Sequence, residues 1–208
     1  MLAFVLSRRD FREYDQIVSL YTLEKGKMEV LARGVKKILS KNAAHLEPFC
    51  LVEAEIIQGK EINHLGSVAP IELFKNIRKD LKKSLVCGCV VKTFDHLLHN
   101  EERDRRIFDL SKSFLEFIEQ DKSVIIRSGI LLDALVIKLF NLLGFDILAA
   151  PQLDDNLKKE IGWLSRGHWR VAQNMELLVN KEKKIHDLIY KFAVYHSEKG
   201  LKNWSGIA

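Results

Sequence analysis

Residues 16–37, QIVSLYTLEKGKMEVLARGVKK, carry the clearest indication of the fold of the first half. Two apolar runs rich in β-branched and aromatic residues, 16–23 and 28–32, are separated by the polar turn 24–27. Runs of this kind on either side of a short, glycine-containing turn are typical of a β-hairpin. Gly26 is free to take the positive φ that such a turn requires. The stretch therefore predicts two antiparallel strands.

Three further runs of the same character lie outside this hairpin, at residues 3–6, 49–57 and 61–68. Five short strands within about 70 residues favour a small barrel, because a sandwich usually takes seven or more. The longest break between the runs, residues 34–48, has room for a basic loop and a short helix.

Beyond Pro70 the apolar residues follow a helical period. Between residues 107 and 118 they recur at spacings of three and four, which indicates an amphipathic helix. Other helices are predicted from residue 71 or 81 to residue 99, and over 122–143, 156–165, 168–179 and 183–198, with Gly144 as a C-terminal cap. The predicted fold class is α+β: a five-stranded β barrel followed by an all-helical C-terminal domain, with the boundary near residues 70–80.

The composition is that of an ordinary globular chain. Its 208 residues include 33 Lys and Arg against 28 Asp and Glu, a formal net charge of +5. That mild excess permits an acidic partner such as nucleic acid without requiring one. Three cysteines are too few for a disulfide framework and favour a reducing compartment. No secretory signal is visible, and the most apolar stretch, 124–145, carries charges that a membrane span would not tolerate well. We expect a soluble, cytoplasmic protein.

The charge excess is concentrated between residues 25 and 41. Six cations are opposed there only by Glu29, a local excess of +5: Lys25, Lys27, Arg33, Lys36, Lys37 and Lys41. One hypothesis is a surface that follows the phosphates of a nucleic-acid strand. The other is a solvated loop whose charge only aids solubility. Charge alone does not decide between them.

Aromatic residues offer two further candidate surfaces. Phe11, Tyr14 and Tyr21 could stack on nucleic-acid bases, although aromatic residues in strands more often belong to the core. A second group could form a binding surface, but helix packing with a polar rim is the simpler interpretation; it comprises Trp163, Arg166, His168, Trp169 and Arg170.

The chain offers little for catalysis or metal binding. Cys87 and Cys89, separated by one residue in a predicted helix, would point their thiols about 200° apart and so could not readily share a metal. We interpret both, like Cys50, as core residues. The sequence contains no glycine-rich phosphate loop, no G-x-S-x-G turn and no H-E-x-x-H motif. We expect a protein without enzymatic activity and without a metal or other cofactor.

Three motifs in order resemble the RecO family of bacterial DNA repair and recombination proteins. They are the T-x-E-x-G-K turn at 22–27, the A-R-G-x-K-K loop at 32–37 and L-E-P-F at 46–49. The second half continues the resemblance more weakly, through Arg127 ahead of a long apolar helix and L-L-G-F at 142–145. The resemblance implies an oligonucleotide-binding (OB) fold over residues 1–75 and a helical domain over residues 76–208.

The resemblance also implies a function and a set of partners. Members bind single- and double-stranded DNA and anneal complementary strands. With RecR they help load RecA onto DNA coated by single-strand DNA-binding protein (SSB), which would place this chain at the nucleoid. Carried over, Arg33, Lys36, Lys37 and Lys41 would form the DNA-binding face, extended by Lys25 and Lys27. The helical domain would bind the acidic-hydrophobic tail of SSB, with Arg127 as the partner of a carboxylate.

One departure from the family concerns zinc. Many members follow the L-L-G-[FY] segment with a cysteine cluster that holds this metal, but here no cysteine occurs after Cys89. We therefore expect no zinc module. Three other functions stay open on the residues alone: a protein–protein adaptor built on the barrel, an RNA-binding OB module, and a metal-dependent nuclease using scattered carboxylates.

Overall fold

The computed structural model describes residues 1–123, 127–150 and 153–197. The chain divides into two compact units. The first contains Met1–Arg78 together with Val91–Phe108, and the second contains Lys79–Val90 together with the chain from Asp109 onward.

The first unit is built on a closed barrel of five strands in the order β1-β2-β3-β5-β4. The strands are β1 Leu2–Asp10, β2 Gln16–Thr22, β3 Gly26–Ala32, β4 Leu51–Ile57 and β5 Asn63–Glu72. Only the β3–β5 pairing among these strands is parallel. A short 3-10 helix, Ala43–His45, lies in the long break before β4. The predicted five-stranded barrel, the OB-fold class and the short helix are confirmed.

The barrel interior is filled by apolar side chains from all five strands. In β1 to β4 they lie two residues apart, on one face of each strand. Most are small or β-branched: Ala3, Val5, Val18, Leu20, Met28, Val30, Ala32, Val52 and Ala54, with Leu65 and Val68 partly buried beside them. In β1 and β2 the residues between them are buried as well. Two strands are longer than the apolar pattern predicts. β1 continues to Asp10 past an irregularity after Val5, and β5 continues to Glu72 through Pro70. Residues 8–10 of β1 are polar and exposed, and Asp10 also accepts from the Gln16 side chain of β2 at 2.9 Å.

The β2–β3 hairpin has the predicted glycine turn. Gly26 has a φ of +70°, and the Thr22 hydroxyl accepts from the Lys25 amide at 3.0 Å. A Cβ added at Gly26 would lie 2.2 Å from the Glu102 carbonyl oxygen. Both the turn and the close approach of the backbone therefore require glycine at this position.

After the barrel, the described chain consists of seven α-helices, their connections and a short 3-10 helix, Ile147–Ala149. The α-helices are α1 Lys75–Lys79, α2 Leu81–Leu97, α3 Arg105–Gln120, α4 Ser128–Leu142, α5 Asp155–Arg166, α6 Trp169–Gln173 and α7 Val179–Ser197. The all-helical second half is confirmed, with several ends displaced. The predicted start at residue 71 is wrong because 71 and 72 belong to β5. α6 ends before residue 179, and α7 begins four residues earlier than residue 183. Residues 124–126 of the predicted helix 122–143 and residue 198 lie outside the described residues.

Helix α4 is the centre of the second unit. Most of its side chains are buried, and it packs against α5, α6 and α7. Its end has the predicted glycine cap: Gly144, at φ +91°, donates from its amide to the Asn141 carbonyl at 3.2 Å, and the Phe145 amide donates to Phe140 at 2.9 Å. This pair of hydrogen bonds is a Schellman motif. No helix within the described residues combines the length and apolar character needed to cross a membrane.

Candidate nucleic-acid interface

Two loops meet at one end of the barrel. Residues 11–15 connect β1 to β2, and residues 33–41 follow β3, whose last residue pairs with the first residue of β2. The Lys36 amide donates to the Tyr14 carbonyl at 3.0 Å, and the Gly34 amide donates to the Asp15 carboxylate at 2.8 Å. These bonds join the two loops into one surface, called here the basic loop surface.

Most of the predicted cations lie on this surface. Arg33, Lys36, Lys37 and Lys41 are all exposed. The Lys36 ammonium lies 2.8 Å from the Asp10 carboxylate, an exposed pair of the kind that contributes little and exchanges readily for another anion. A hydrogen bond from Gln16, together with Lys36, lowers the pKa of Asp10.

The structure adds one cation that the sequence argument did not include. Arg12 is exposed in the β1–β2 loop, outside the charge-rich stretch 25–41. Its guanidinium carbon lies 5.1 Å from the centre of the Phe11 ring. Arg12 lies at the same end of the barrel as Arg33 because β1 pairs antiparallel with β2, a pairing that the sequence pattern did not predict.

Two of the three candidate stacking residues are exposed on the same surface. Phe11 is 47% exposed and Tyr14 is 46% exposed, so the core interpretation is wrong for both. The Lys37 ammonium lies 5.7 Å from the centre of the Tyr14 ring. Tyr21 is buried, and its hydroxyl donates to the Asp104 carbonyl at 3.1 Å. Burial raises the pKa of Tyr21 to about 12, so this residue belongs to the core.

Lys25 and Lys27 do not lie on the basic loop surface. Lys25 is exposed in the β2–β3 turn, at the opposite end of those strands. The Lys27 ammonium lies 3.2 Å from the Asp95 carboxylate and donates to the Asp95 and Leu98 carbonyls at the end of α2. The six cations are close in sequence, but the hairpin distributes them over two ends of the barrel and one helix terminus.

Asp95 forms the centre of a partly buried polar cluster. Its carboxylate accepts from the hydroxyls of Ser7 and Ser19, each at 2.6 Å, and pairs with Lys27. Burial opposes ionisation of Asp95, but the hydrogen bonds from Ser19 and Ser7, together with Lys27, lower its pKa overall. The cluster joins β1, β2 and β3 to the end of α2, so its role is structural.

Arg127 is held within the second unit. Its guanidinium pairs with the Glu182 carboxylate and donates to the Met175 carbonyl, and its backbone amide donates to the Gln173 side chain at 3.2 Å. The side chain is 25% exposed. The carboxylate that pairs with Arg127 in this structure therefore comes from the chain itself.

The second aromatic group is divided between core and surface. Trp169 is buried, with its indole nitrogen donating to the Ser113 hydroxyl at 3.2 Å, whereas Trp163 is exposed beneath the Lys159 ammonium. A cavity of about 710 Å³ lies beside Trp169's helix and is lined in part by Ser113, Phe117, Lys122, His168 and Arg170.

No group of three or more His, Cys, Asp or Glu side chains among the described residues could hold a metal ion. Cys50 and Cys87 are buried, and Cys89 is half-buried. Burial raises the pKa of the Cys50 thiol, whose sulfur accepts from Arg78 at 3.0 Å. The residues present therefore do not fit the zinc cluster that many RecO proteins contain.

The protein has a closed five-stranded barrel followed by helices, and loops that adjoin the barrel carry exposed cations and aromatic rings. This architecture defines an OB-fold protein of the α+β class. Residues 1–75 match the family model described as "Recombination protein O N terminal". The resemblance to the RecO family inferred from residues 22–49 is thereby confirmed.

Similar proteins carry the name DNA repair protein RecO. The one from Geobacter metallireducens is 33% identical over 118 residues, which cover 57% of this chain and 48% of the relative. The one from Geobacter sulfurreducens is 36% identical over 118 residues, covering 57% and 49%. The one from Caldanaerobacter subterraneus subsp. tengcongensis is 27% identical over 143 residues, covering 69% and 57%. The chain spans about half the length of these relatives.

Proposed function

We propose that this protein is a DNA repair and recombination mediator that binds DNA and anneals complementary single strands. The observation that carries the proposal is the basic loop surface, where five exposed cations lie beside two exposed aromatic rings on a RecO-type barrel. The cations are Arg12, Arg33, Lys36, Lys37 and Lys41. Cations can hold phosphates while rings stack on bases, irrespective of base sequence.

Annealing by such a surface needs no covalent step. Two complementary strands repel each other through their phosphates, and cations that neutralise part of this charge lower the repulsion. The bases then pair through their own hydrogen bonds and stacking. No catalytic residue is required, and the proposal therefore includes no enzymatic activity.

The partners proposed for the protein follow from its resemblance to the RecO family. They are RecR, the C-terminal tail of SSB and, indirectly, RecA, which the protein and RecR would help to load onto SSB-coated DNA. We place the protein in the bacterial cytoplasm, at the nucleoid. Residues 1–75 would act as the OB domain and residues 76–208 as the helical domain that contacts partners and DNA.

The annealing rate of two complementary DNA strands tests this function, measured with naked and with SSB-coated strands. Acceleration in both cases is the expected result. Acceleration of naked strands alone would leave a DNA-binding protein without an SSB contact. No acceleration in either case would contradict the proposal and favour the adaptor, and a higher affinity for a matched RNA strand would favour the RNA-binding module. Strand scission on adding Mg²⁺ would favour the nuclease.

The proposed SSB contact has a requirement that follows from the structure. Arg127 is the residue that the family resemblance indicates, but it can receive a tail carboxylate only by exchanging Glu182 for it. Glu182→Gln should therefore strengthen binding of an SSB tail peptide, and Arg127→Ala should weaken it. Equal affinities in both folded variants would contradict a role for Arg127. Weaker binding in Arg170→Ala alone would instead locate the tail in the neighbouring cavity.

A further inference from the structure

The tip of the basic loop surface is apolar. Ile38 is 102% exposed and Leu39 is 92% exposed, more than any other large hydrophobic residue of the described chain. Single exposed apolar residues are ordinary. Two adjacent ones with almost no contact to the rest of the protein are a feature that needs a physical explanation.

The loop presents this pair in a defined turn. The Lys37 amide donates to the Gly34 carbonyl at 3.1 Å, and the Ser40 amide donates to the Lys37 carbonyl at 2.9 Å. Ile38 and Leu39 are the two residues that these bonds leave at the outside of the turn. Since neither side chain packs on the barrel, polar residues would serve the fold at this position equally well.

The residues next to the pair indicate what it contacts. Lys36 and Lys37 precede it and Lys41 follows it, so two apolar side chains lie between cations. A nucleic-acid strand has the complementary pattern, because it alternates anionic phosphates with the apolar faces of its bases. In duplex DNA, leucine and isoleucine are among the side chains that insert between base steps, at the cost of unstacking them; an unpaired strand exposes the same base faces without most of that cost. The exposed rings of Phe11 and Tyr14 on the same surface favour bases over an apolar peptide.

We propose that Ile38 and Leu39 pack against the base faces of an unpaired strand while the flanking cations hold its phosphates. This inference rests on the proposed DNA-binding function and specifies which form of DNA the surface prefers. An unpaired strand exposes its base faces, whereas a duplex covers them by stacking. The apolar contact therefore gives the surface a preference for single strands and is lost when two strands anneal, which favours release of the duplex.

The test compares the unmodified chain of 208 residues with its I38S/L39S variant. A labelled single strand and a hairpin duplex of the same base composition are each titrated, and 2-aminopurine in the single strand reports on its base environment. We expect single-strand affinity to fall about tenfold, as expected when at least one aliphatic side chain loses an apolar contact. Duplex affinity should be unchanged, and the change in 2-aminopurine fluorescence on binding should be reduced.

A matched control is available in the second unit. Leu178 and Val179 are also adjacent, apolar and highly exposed, at 80% and 82%, so L178S/V179S should leave both affinities unchanged. Unchanged single-strand affinity in I38S/L39S, with normal binding by the unmodified protein, would overturn the inference while leaving the proposed function intact. An equal loss for strand and duplex would also overturn it, as would a loss confined to an acidic-apolar peptide. If the unmodified protein bound neither DNA, the proposed function itself would fail.

Discussion

Two groups of basic residues have similar charge but different surroundings: the cations of the basic loop surface, and the lysines whose ammonium groups bind the C-terminal ends of other helices. In the loops, Lys37 and Lys41 are exposed. By contrast, Lys83 donates to the carbonyls of Ile118 and Asp121 at the C-terminal end of α3. Lys138 similarly donates to the carbonyls of Ser165 and Gly167 at the C-terminal end of α5, at 3.0 and 2.8 Å.

This difference follows from a property of helices. The last carbonyls of a helix lack intrahelical partners and carry partial negative charge, so a lysine side chain from another element can satisfy them. Lys27 does the same at the end of α2. Burial lowers the pKa of Lys138, as expected for an ammonium withdrawn from water. Lysines such as Lys27, Lys83 and Lys138, whose ammonium groups already bind helix carbonyls, are therefore not available to an anionic partner.

The largest effect that this comparison predicts is at Asp95. Asp95→Ala removes the acceptor of Ser7 and Ser19 and leaves the Lys27 ammonium without its carboxylate. We expect the barrel to lose about 3 kcal/mol of stability, typical of breaking a largely buried ion pair. Hydrogen exchange of the amides of β1–β3 measures it.

The matched double variant D95A/K27M separates charge from packing. Because it removes the unpaired cation as well, it should be more stable than D95A alone. Additive losses would show that Lys27 and Asp95 are not coupled.

The Asp95 contribution to stability also depends on pH. Since its folded pKa is lowered, the stabilisation is present above the unfolded value, about 3.9, and is lost as the pH falls through the folded value.

A smaller effect is predicted at Lys83. Lys83→Met keeps the length of the side chain but leaves two carbonyls at the end of α3 without their donor, which should cost about 2 kcal/mol. Lys82→Met is the matched control, because Lys82 is the exposed neighbour on the same helix. All three tryptophans follow residue 160, so tryptophan fluorescence during urea unfolding reports on the second unit. Equal midpoints for the two variants would contradict the capping role.

The smallest predicted effect concerns a histidine in the second unit. His186 Nδ1 lies 2.9 Å from Asp133 Oδ1, both residues being buried. The hydrogen bond with Asp133 raises the pKa of His186 against the opposing effect of burial. The stabilisation is therefore complete below the unfolded pKa, about 6.5, and is lost as the pH rises through the higher folded value. Thermal unfolding between about pH 6 and about pH 8 should show this loss. His186→Gln should abolish the pH dependence; an identical dependence in both proteins would assign it to other groups.

Much of the barrel could be predicted from sequence because its strands coincide with short apolar runs, rich in β-branched and aromatic residues, that are separated by turn residues. The β2–β3 hairpin and Gly26 follow directly from this pattern. The second half of β1 could not be predicted, since Arg8 and Arg9 pair with β2 through backbone atoms that leave no apolar signal. Helix ends near residues 173–179 were misplaced because the buried Met175 continues the apolar pattern beyond the last helical turn.

The candidate site was predictable only in part, for a related reason. Arg33 and Lys36 lie on one short loop, so proximity in sequence is proximity in space. The carbonyl partners of Lys27 lie 68 and 71 residues further along the chain, and the Met175 carbonyl lies 48 residues from Arg127. A local charge pattern cannot reveal partners so far away in the sequence. Arg12 lies on the basic loop surface only because β1 pairs with β2.

We propose that, within the charge-rich stretch 25–41, only the cations of the basic loop surface hold DNA phosphates. The direct test is the salt dependence of single-strand affinity. With five cations on phosphates, log K should fall against log salt with a slope of about −3.5. K36A/K37A should flatten this slope by about one to two units, while Lys25→Ala and Lys27→Met should leave it unchanged. An unchanged slope in K36A/K37A, or an equal flattening in Lys25→Ala, would show that the basic loop surface is not what holds the phosphates.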